Sequence, residues 1–264
     1  MFKRIACGVF VSLFFVVGLA VAGEEKEPQK LVLLHEFAVH PEGIAQFEAS
    51  IKALLGAAGE HGLGYGWDAY STDDMRYVLT IWVDGLTGID AIFAKWKAFG
   101  ERWGEEPIGE WRKTFYPTFE HSKHSLWHPR PDLSYMPENS PKENDFFYWG
   151  VMTVKPGHMK SVEEAFKKFV QLMTEHEVPH AWNTAVGGIG TEGPVLAYLE
   201  WGASAGAFFT RVDEIEANEE LMKASGSVWE EMLPHIRGYE YVTGKYRKDL
   251  SWHPEKKEGG AEEE

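Results

Sequence analysis

The sequence has 264 residues, and its 44% share of hydrophobic residues is large enough for a packed core. It carries 41 acidic and 26 basic residues, and a surface with a formal net charge of −15 is a poor partner for nucleic acid or anionic lipid. The only cysteine is Cys7, which excludes an intramolecular disulfide and a cysteine-based metal site.

The N-terminal stretch has the pattern of a secretory signal peptide. Lys3 and Arg4 precede an apolar run that is short for a membrane span and ends in the small-residue pattern AVA at residues 20–22. We expect cleavage after Ala22, which removes Cys7, and a periplasmic or secreted protein without membrane contact. The alternative is an uncleaved N-terminal anchor.

The rest of the chain repeats itself. One shift along the sequence places "VHPEG" (39–43) over "VKPGH" (154–158), His61 over His176 and Trp67 over Trp182. The segment "RPDLSYMPE" (130–138) returns as "RKDLSWHPE" (247–255), which we expect to be scaffold, either a tight turn or a short arm across the neighbouring copy. We predict a tandem duplication.

The predicted units span residues 31–137 and 146–254. A polar linker at 138–145 separates them, and an acidic tail at 255–264 is expected to be disordered.

Each unit shows the same order of elements. In the first unit, the apolar strand "LVLLHEFAV" is followed by a helical period, two strands with a tight connection, a helical region over Ile89–Trp111 and a last strand over about Phe119–Trp127. In the second unit, "FFYWGVMTV" opens the series, which ends in a helical region over Ala207–Met232 and a strand over Ile236–Lys245. The order β-α-β-β-α-β is the split ferredoxin-like arrangement.

Both faces of the first strand are apolar, with Leu31 and Leu33 on one face and Val32 and Leu34 on the other. Helices can cover only one of these faces, so the second unit must cover the other. The predicted fold is therefore α+β, with two tandem ferredoxin-like units whose antiparallel sheets pack as an intramolecular α+β barrel. Such a chain is a monomer with a pseudo-twofold axis, or a homodimer.

This arrangement, the "V-x-P-G"-like opening of the first helix and the "LEW-x-x-S" ending of a third strand resemble the dimeric α+β barrel superfamily. Its branches include the antibiotic-biosynthesis-type (ABM) monooxygenases, NIPSNAP-like proteins and, more remotely, haem-binding chlorite dismutase relatives. The resemblance covers Leu31–Pro137 and Asp145–Pro254. It implies the barrel fold and a monooxygenase-like oxidoreductase. Haem-degrading members use an Asn on the first strand with a Trp and a His, and neither first strand here has an Asn.

Two sequence motifs that suggest a ligand or metal site are more simply explained by a structural role. Gly188, Gly190 and Gly193 match a dinucleotide fingerprint, but Pro194 and a strand follow instead of a helix, so we expect a hairpin turn.

The second motif is "HSKHSLWHP", in which His121, His124 and His128 have the spacing of metal ligands on a helix. This stretch lies on a predicted strand, where only His124 and His128 share a face, about 13 Å apart. We expect surface histidines and no metal, with a site at these three residues as the weak alternative.

Positions that differ between the units mark where the two halves have specialised. Asp68 stands opposite Asn183, and His35 stands opposite Gly150 on an otherwise apolar strand. In a dry barrel, His35 could take a proton from a bound phenol or enol while Asp68 or Asn183 holds an oxygen. The catalytic candidates are therefore His35, Asp68 and Asn183, and the alternative for His35 is a core histidine.

Aromatic side chains and one further histidine are the candidates for ligand contact. Trp67 and Trp182 either pack against the sheet or form a cavity wall, and His180 comes just before Trp182. Histidines that recur in both units, such as His61, are expected to interact with the last carbonyl groups and the negative dipole end of a helix. The ligand-binding candidates are Trp67, Trp82, Trp149, His180, Trp182 and Trp201.

Two functional hypotheses remain open. The first is an exported enzyme that acts without a cofactor as an oxygenase or isomerase on a small apolar or aromatic molecule, in a cavity between the helix layer and the sheet. The second is a non-catalytic ligand-binding or stress-related module, with haem as the alternative ligand.

Overall fold

The computed structural model describes residues 30–254, so the signal peptide and the acidic tail predicted from the sequence lie outside the described residues. The strands are β1 (Lys30–Val39), β2 (Asp68–Thr72), β3 (Arg76–Asp84), β4 (Phe119–Pro129), β5 (Phe146–Val154), β6 (Trp182–Gly187), β7 (Val195–Gly202) and β8 (Ile236–Tyr246). The helices are α1 (Ile44–His61), α2 (Thr87–Trp103), α3 (Glu105–Phe115), α4 (Met159–Glu175), α5 (Ala205–Glu216) and α6 (Glu219–Met232). Within these residues, no helix is both long and apolar enough to span a membrane.

The strands form one closed antiparallel barrel in the order β1-β3-β2-β8-β5-β7-β6-β4. Each unit contributes four neighbouring strands, and the two sheets join edge to edge, where β2 pairs with β8 and β4 pairs with β6. Closure pairs the edge strands of both sheets, which would otherwise leave backbone groups unpaired. The predicted fold class is confirmed, although the sheets meet at their edges rather than face to face.

Alternation along each strand sends one set of side chains towards the helices and the other into the barrel. On β1, Leu31 and Phe37 belong to a buried cluster that includes Phe47 and Ile51 of α1. Leu34 belongs to a separate cluster inside the barrel. The two apolar faces of the first strand therefore have two different partners.

The second helical region of each unit consists of two helices, a division that was not predicted from the sequence. In the first unit, α2 ends where Gly104 adopts a φ of 99°, a conformation that glycine reaches without a steric penalty. In the second unit, the side chain of Asn218 accepts a hydrogen bond from the backbone N–H of Leu221 and caps α6.

The glycine run forms the hairpin between β6 and β7, as expected from Pro194 and the following strand. Its backbone continues the barrel wall beside β4, because the N–H of Leu126 donates to the carbonyl of Ile189 at 2.8 Å. Gly190 has a φ of 81° and lies against the carbonyl of His124, so both its conformation and its position require glycine.

The repeated segments are two arms that the units exchange. Arm 1 (residues 130–136) places Leu133 in a buried cluster formed by the second unit, and arm 2 (residues 247–253) places Leu250 in the core of the first unit. The indole Nε1 of Trp182 donates to the Leu133 carbonyl at 2.9 Å, and that of Trp67 donates to the Leu250 carbonyl at 2.9 Å.

Charged and polar contacts fasten each arm to the opposite unit. Arg247 pairs with Asp249 of its own arm and with Glu48 of α1. Ser251 Oγ accepts a hydrogen bond from the backbone N–H of Ala69 at 2.9 Å. Arm 1 repeats this scheme through Arg130, Asp132, Glu163, Ser134 and Thr184. The repeated segment is thus both a tight turn and an arm across the neighbouring copy.

Candidate functional site

A cavity with a volume of about 550 Å³ lies inside the barrel. It is lined by inward-facing strand residues and by arm 1. The sequence placed the cavity between the helix layer and the sheet, and this was wrong because large side chains such as Phe47 and Phe99 fill that layer in the first unit.

Three aromatic side chains that line the cavity, Trp127 of β4 and Phe147 and Trp149 of β5, form what we call the aromatic wall. Trp127 and Trp149 approach edge to face across the barrel, with ring centroids 6.5 Å apart. Leu34 and Val78 extend this apolar surface and belong to the same buried cluster as Trp127. A surface of this kind favours a flat apolar or aromatic molecule.

A second set of lining residues, Asp68, Tyr70 and Thr80 of the first unit, forms a polar wall. It meets the aromatic wall where Tyr70 packs edge to face on Phe147, with ring centroids 5.4 Å apart. The cross-strand pair of Asp68 with Thr80 corresponds in the second unit to the pair of Asn183 with Leu199. The second unit thus presents an amide and an apolar side chain where the first presents a carboxylate and a hydroxyl, although the fold is repeated.

Asp68 is the only acidic side chain that lines the cavity within residues 30–254. Its Oδ1 accepts a hydrogen bond from the hydroxyl of Tyr246 at 3.1 Å, and the Nε2 of His253 lies 3.3 Å from the same oxygen. Burial, together with the charge of Asp68 and the proximity of Tyr246, raises the pKa of Tyr70, which keeps this phenol protonated.

The structure does not bring His35 together with the other two catalytic candidates. Asp68 and Asn183 both line the cavity, whereas His35 belongs to the outward-facing set of β1 and stacks on His124 with ring centroids 3.7 Å apart. Burial, with a smaller contribution from His124, lowers the pKa of His35 to about 3. A histidine that stays neutral on the outer face cannot reach a molecule held in the barrel.

Two of the six ligand-binding candidates line the cavity. Trp149 is part of the aromatic wall, and Trp82 stands at the rim with 58% of its surface exposed. Trp67 and Trp182 are buried and hold the arms, so they pack the sheet rather than form the cavity wall. The indole of Trp201 donates to the carbonyl of Pro141 in the linker at 3.0 Å.

His180 is buried in a polar network outside the cavity. Its Nε2 lies 3.1 Å from Oε1 of Glu200, and its Nδ1 accepts a hydrogen bond from Nε of Arg211 at 3.1 Å. Both ring nitrogens are therefore engaged by the protein.

The three histidines of the weak metal alternative lie on β4, as the repeat predicted. His124 and His128 occupy outward-facing positions, and His121 lies on the opposite face. Among residues 30–254, no group of three or more histidine, cysteine or acidic side chains could hold a metal ion.

Sequence reasoning missed Thr80, Tyr70, Tyr246 and His253 near the site. The comparison between units could have found Tyr70 and Thr80, because their counterparts Ala185 and Leu199 are apolar. The contacts of Tyr246 and His253 with Asp68 depend on closure of the barrel and on exchange of the arms.

Comparison with solved structures identifies the fold. An anthrone oxidase-like protein matches with a TM-score of 0.58 and 14% identity over 88% of this chain and 97% of its own. A putative monooxygenase from Lactobacillus acidophilus NCFM matches with a TM-score of 0.53 and 10% identity over 84% and 95% of the two chains. The chlorite dismutase from Candidatus Nitrospira defluvii, in complex with imidazole, gives 0.50 and 11% over 85% and 93%.

The chain has the fold of the dimeric α+β barrel superfamily. Neither a protein-family model nor a curated protein matches its sequence. At these identities the similarity concerns the fold alone. In this α+β barrel both halves belong to one chain.

Proposed function

We propose that the barrel binds a small aromatic molecule bearing a hydroxyl group, and that it acts on this molecule as a cofactor-independent oxygenase or isomerase. The observation that carries the proposal is the cavity itself, which combines an aromatic wall with a polar wall that contains one carboxylate, Asp68. Such a site can bury a ring against its aromatic side chains and accept a hydroxyl proton at the carboxylate.

The free oxygen of Asp68 supports this orientation. Tyr246 and His253 both approach Oδ1, and no hydrogen bond among the described residues uses Oδ2. A bound phenol or enol can therefore donate to Oδ2 while its ring packs against the aromatic wall. A hydrogen bond to a charged group contributes about 1.5–3 kcal/mol, enough to select hydroxylated rings.

Proton transfer to Asp68 would convert a bound enol into its enolate. The enolate can take the proton back at a different carbon, which is an isomerisation. It can also transfer electrons to dioxygen, which then serves as the oxidant and is incorporated or reduced. The names anthrone oxidase-like protein and putative monooxygenase, carried by two proteins of the same fold, belong to this second reaction class.

Oxygen uptake and product formation with anthrone, 2-naphthol and a panel of quinols test the catalytic part. We expect turnover of at least one compound by the purified protein and a loss of at least tenfold in Asp68→Asn. The matched control is Asp90→Asn, which removes an exposed carboxylate on α2. No turnover of any compound would leave binding without catalysis, which is the alternative function.

Haem is the alternative ligand. However, the residues that line the cavity do not fit a haem that is ligated by an imidazole. No histidine lines the cavity within the described residues, and both ring nitrogens of His180 are engaged by the protein. An absorbance spectrum of the protein purified from its source decides the point, because a Soret band would reveal haem.

We further propose export, on the pattern of residues 1–22. Intact mass of the protein recovered from the extracytoplasmic fraction should show that these residues are missing. An intact N-terminus in the membrane fraction would instead support the anchor.

The completion of the barrel within one chain supports a monomer with a pseudo-twofold axis, with a homodimer as the alternative. Light scattering coupled to gel filtration distinguishes the two states by mass.

A further inference from the structure

We propose that His253, supplied by arm 2, is a positioning residue that orients the carboxylate of Asp68 and thereby sets the preference of the cavity for hydroxylated ligands. This inference rests on the proposed function and adds to it a residue from the segment that the sequence suggested was scaffold. It assigns the repeated segment a role beyond holding the two units together.

The backbone of arm 2 is fixed directly beside Asp68. The N–H of Trp67 donates to the carbonyl of Trp252 at 2.8 Å, and the N–H of Trp252 donates back to the carbonyl of Trp67 at 2.9 Å. Gly66 adds to this fit, because any side chain there would collide with the carbonyl of Trp252. Because the bridge is antiparallel, Asp68 and His253 lie on opposite sides of it along the two segments. Their side chains meet diagonally, with Nε2 of His253 at 3.3 Å from Oδ1 of Asp68.

Two protein groups converge on one oxygen of the carboxylate. The hydroxyl of Tyr246 and the Nε2 of His253 both approach Oδ1, at 3.1 Å and 3.3 Å. Together they favour one orientation of the carboxylate, in which Oδ2 is left for a ligand. A carboxylate oriented before binding loses less rotational freedom when the ligand arrives.

Exposure argues against a packing role for His253. Its side chain is 63% exposed, so its contribution to apolar burial is small, whereas the side chain of Asp68 is only 28% exposed. The neighbouring arm residue Trp252 already packs against the core of the first unit. The contact with Asp68 is therefore the interaction that explains a histidine at position 253.

The second unit and arm 1 contain neither a carboxylate nor an imidazole at the positions that correspond to Asp68 and His253. The position of His253 in arm 1 is taken by Met136, and the position of Asp68 in the second unit is taken by Asn183. Both of these residues line the cavity. Carboxylate and imidazole therefore occur together on one side and are absent together on the other, as expected if they act as a pair.

Calorimetric titration with 2-naphthol and 2-methylnaphthalene tests the inference, because the two probes differ only in a hydroxyl replaced by a methyl group. The readout is the ratio of their dissociation constants. We expect His253→Met to reduce the preference for 2-naphthol by about threefold to tenfold, with the affinity for 2-methylnaphthalene unchanged. His253→Gln, which retains a nitrogen donor, should keep most of the preference.

The matched control is Lys248→Ala, which removes an exposed positive charge from the same arm and should leave the ratio unchanged. If His253→Met keeps the ratio while Asp68→Asn abolishes it, the positioning role is wrong and the proposed function stands. If His253→Met weakens both probes equally, the residue only supports the arm and the inference is overturned. If Asp68→Asn also keeps the ratio, or neither probe binds the unaltered protein, the proposed function fails and the inference fails with it.

Discussion

The indole Nε1 of Trp67 donates a 2.9 Å hydrogen bond to the carbonyl of Leu250, which stands near the other end of the chain. Leu250 is 1% exposed and belongs to the core cluster of the first unit, although it follows β8, a strand of the second unit. Trp182 and Leu133 repeat the relationship in the opposite direction. Each half of the barrel is therefore completed by an arm from the other half.

The exchange predicts that arm residues stabilise the opposite unit. Leu250→Ala should lower the free energy of unfolding by about 2–5 kcal/mol, because it leaves a cavity among buried side chains of the first unit. Urea unfolding followed by tryptophan fluorescence measures the loss.

Leu133→Ala should cost a similar amount, since Leu133 is 0% exposed and fills the equivalent place in the second unit. Lys248→Ala, on the exposed side of arm 2, serves as the control and should change stability by less than about 0.5 kcal/mol. A cost below about 1 kcal/mol for both leucines would contradict the exchange.

Filling the cavity should abolish binding without unfolding the barrel. Ala197 lines the cavity on β7, and Ala197→Phe places a ring in the space that a ligand would occupy. We expect the affinity for 2-naphthol to fall by more than about tenfold, while the free energy of unfolding changes by no more than about 1–3 kcal/mol. Ala94→Phe makes the same change at an exposed position of α2, and equal effects of the two would argue against a binding site in the barrel.

His35 should make the protein less stable in mild acid. The pKa of His35 falls from its ordinary 6.5 to about 3 in the folded chain, so the unfolded chain takes up a proton that the folded one refuses. Stability is therefore full above about pH 6.5 and is lost as the pH falls towards 3, by about 2.7 kcal/mol from this group at about pH 4.5.

His35→Leu should remove that share of the loss. It should also stabilise the fold slightly at neutral pH, because the buried Nε2 of His35 has no hydrogen-bond partner among the described residues. The measurement is urea unfolding of the unaltered protein and of His35→Leu, each at about pH 6.5 and at about pH 4.5. The same acid loss in both would show that His35 is protonated in the folded state.

Much of the fold follows from periodicity and duplication. The alternation of Leu31, Leu33 and Phe37 with Val32 and Leu34 is enough to require a partner on each face. The break at Gly104 was missed because apolar residues continue in a helical period on both sides of it. The edge-to-edge closure was missed because a sequence pattern defines faces and not strand edges.

The candidate site was predicted only in part. The comparison of Asp68 with Asn183 and the choice of Trp82 and Trp149 found residues of the cavity. His35 shares the parity of Leu33 and so belongs to the outer face, which the sequence could have indicated. The contact between His253 and Asp68 joins residues that are far apart in the sequence, so no local sequence pattern predicts it.

A crystal structure of the protein soaked with 2-naphthol most directly tests whether a hydroxylated aromatic molecule binds inside the barrel. We predict the ring inside the barrel against the aromatic wall, with its hydroxyl within hydrogen-bonding distance of Oδ2 of Asp68. Electron density for the ligand outside the barrel, or an empty barrel at saturating ligand, would contradict it.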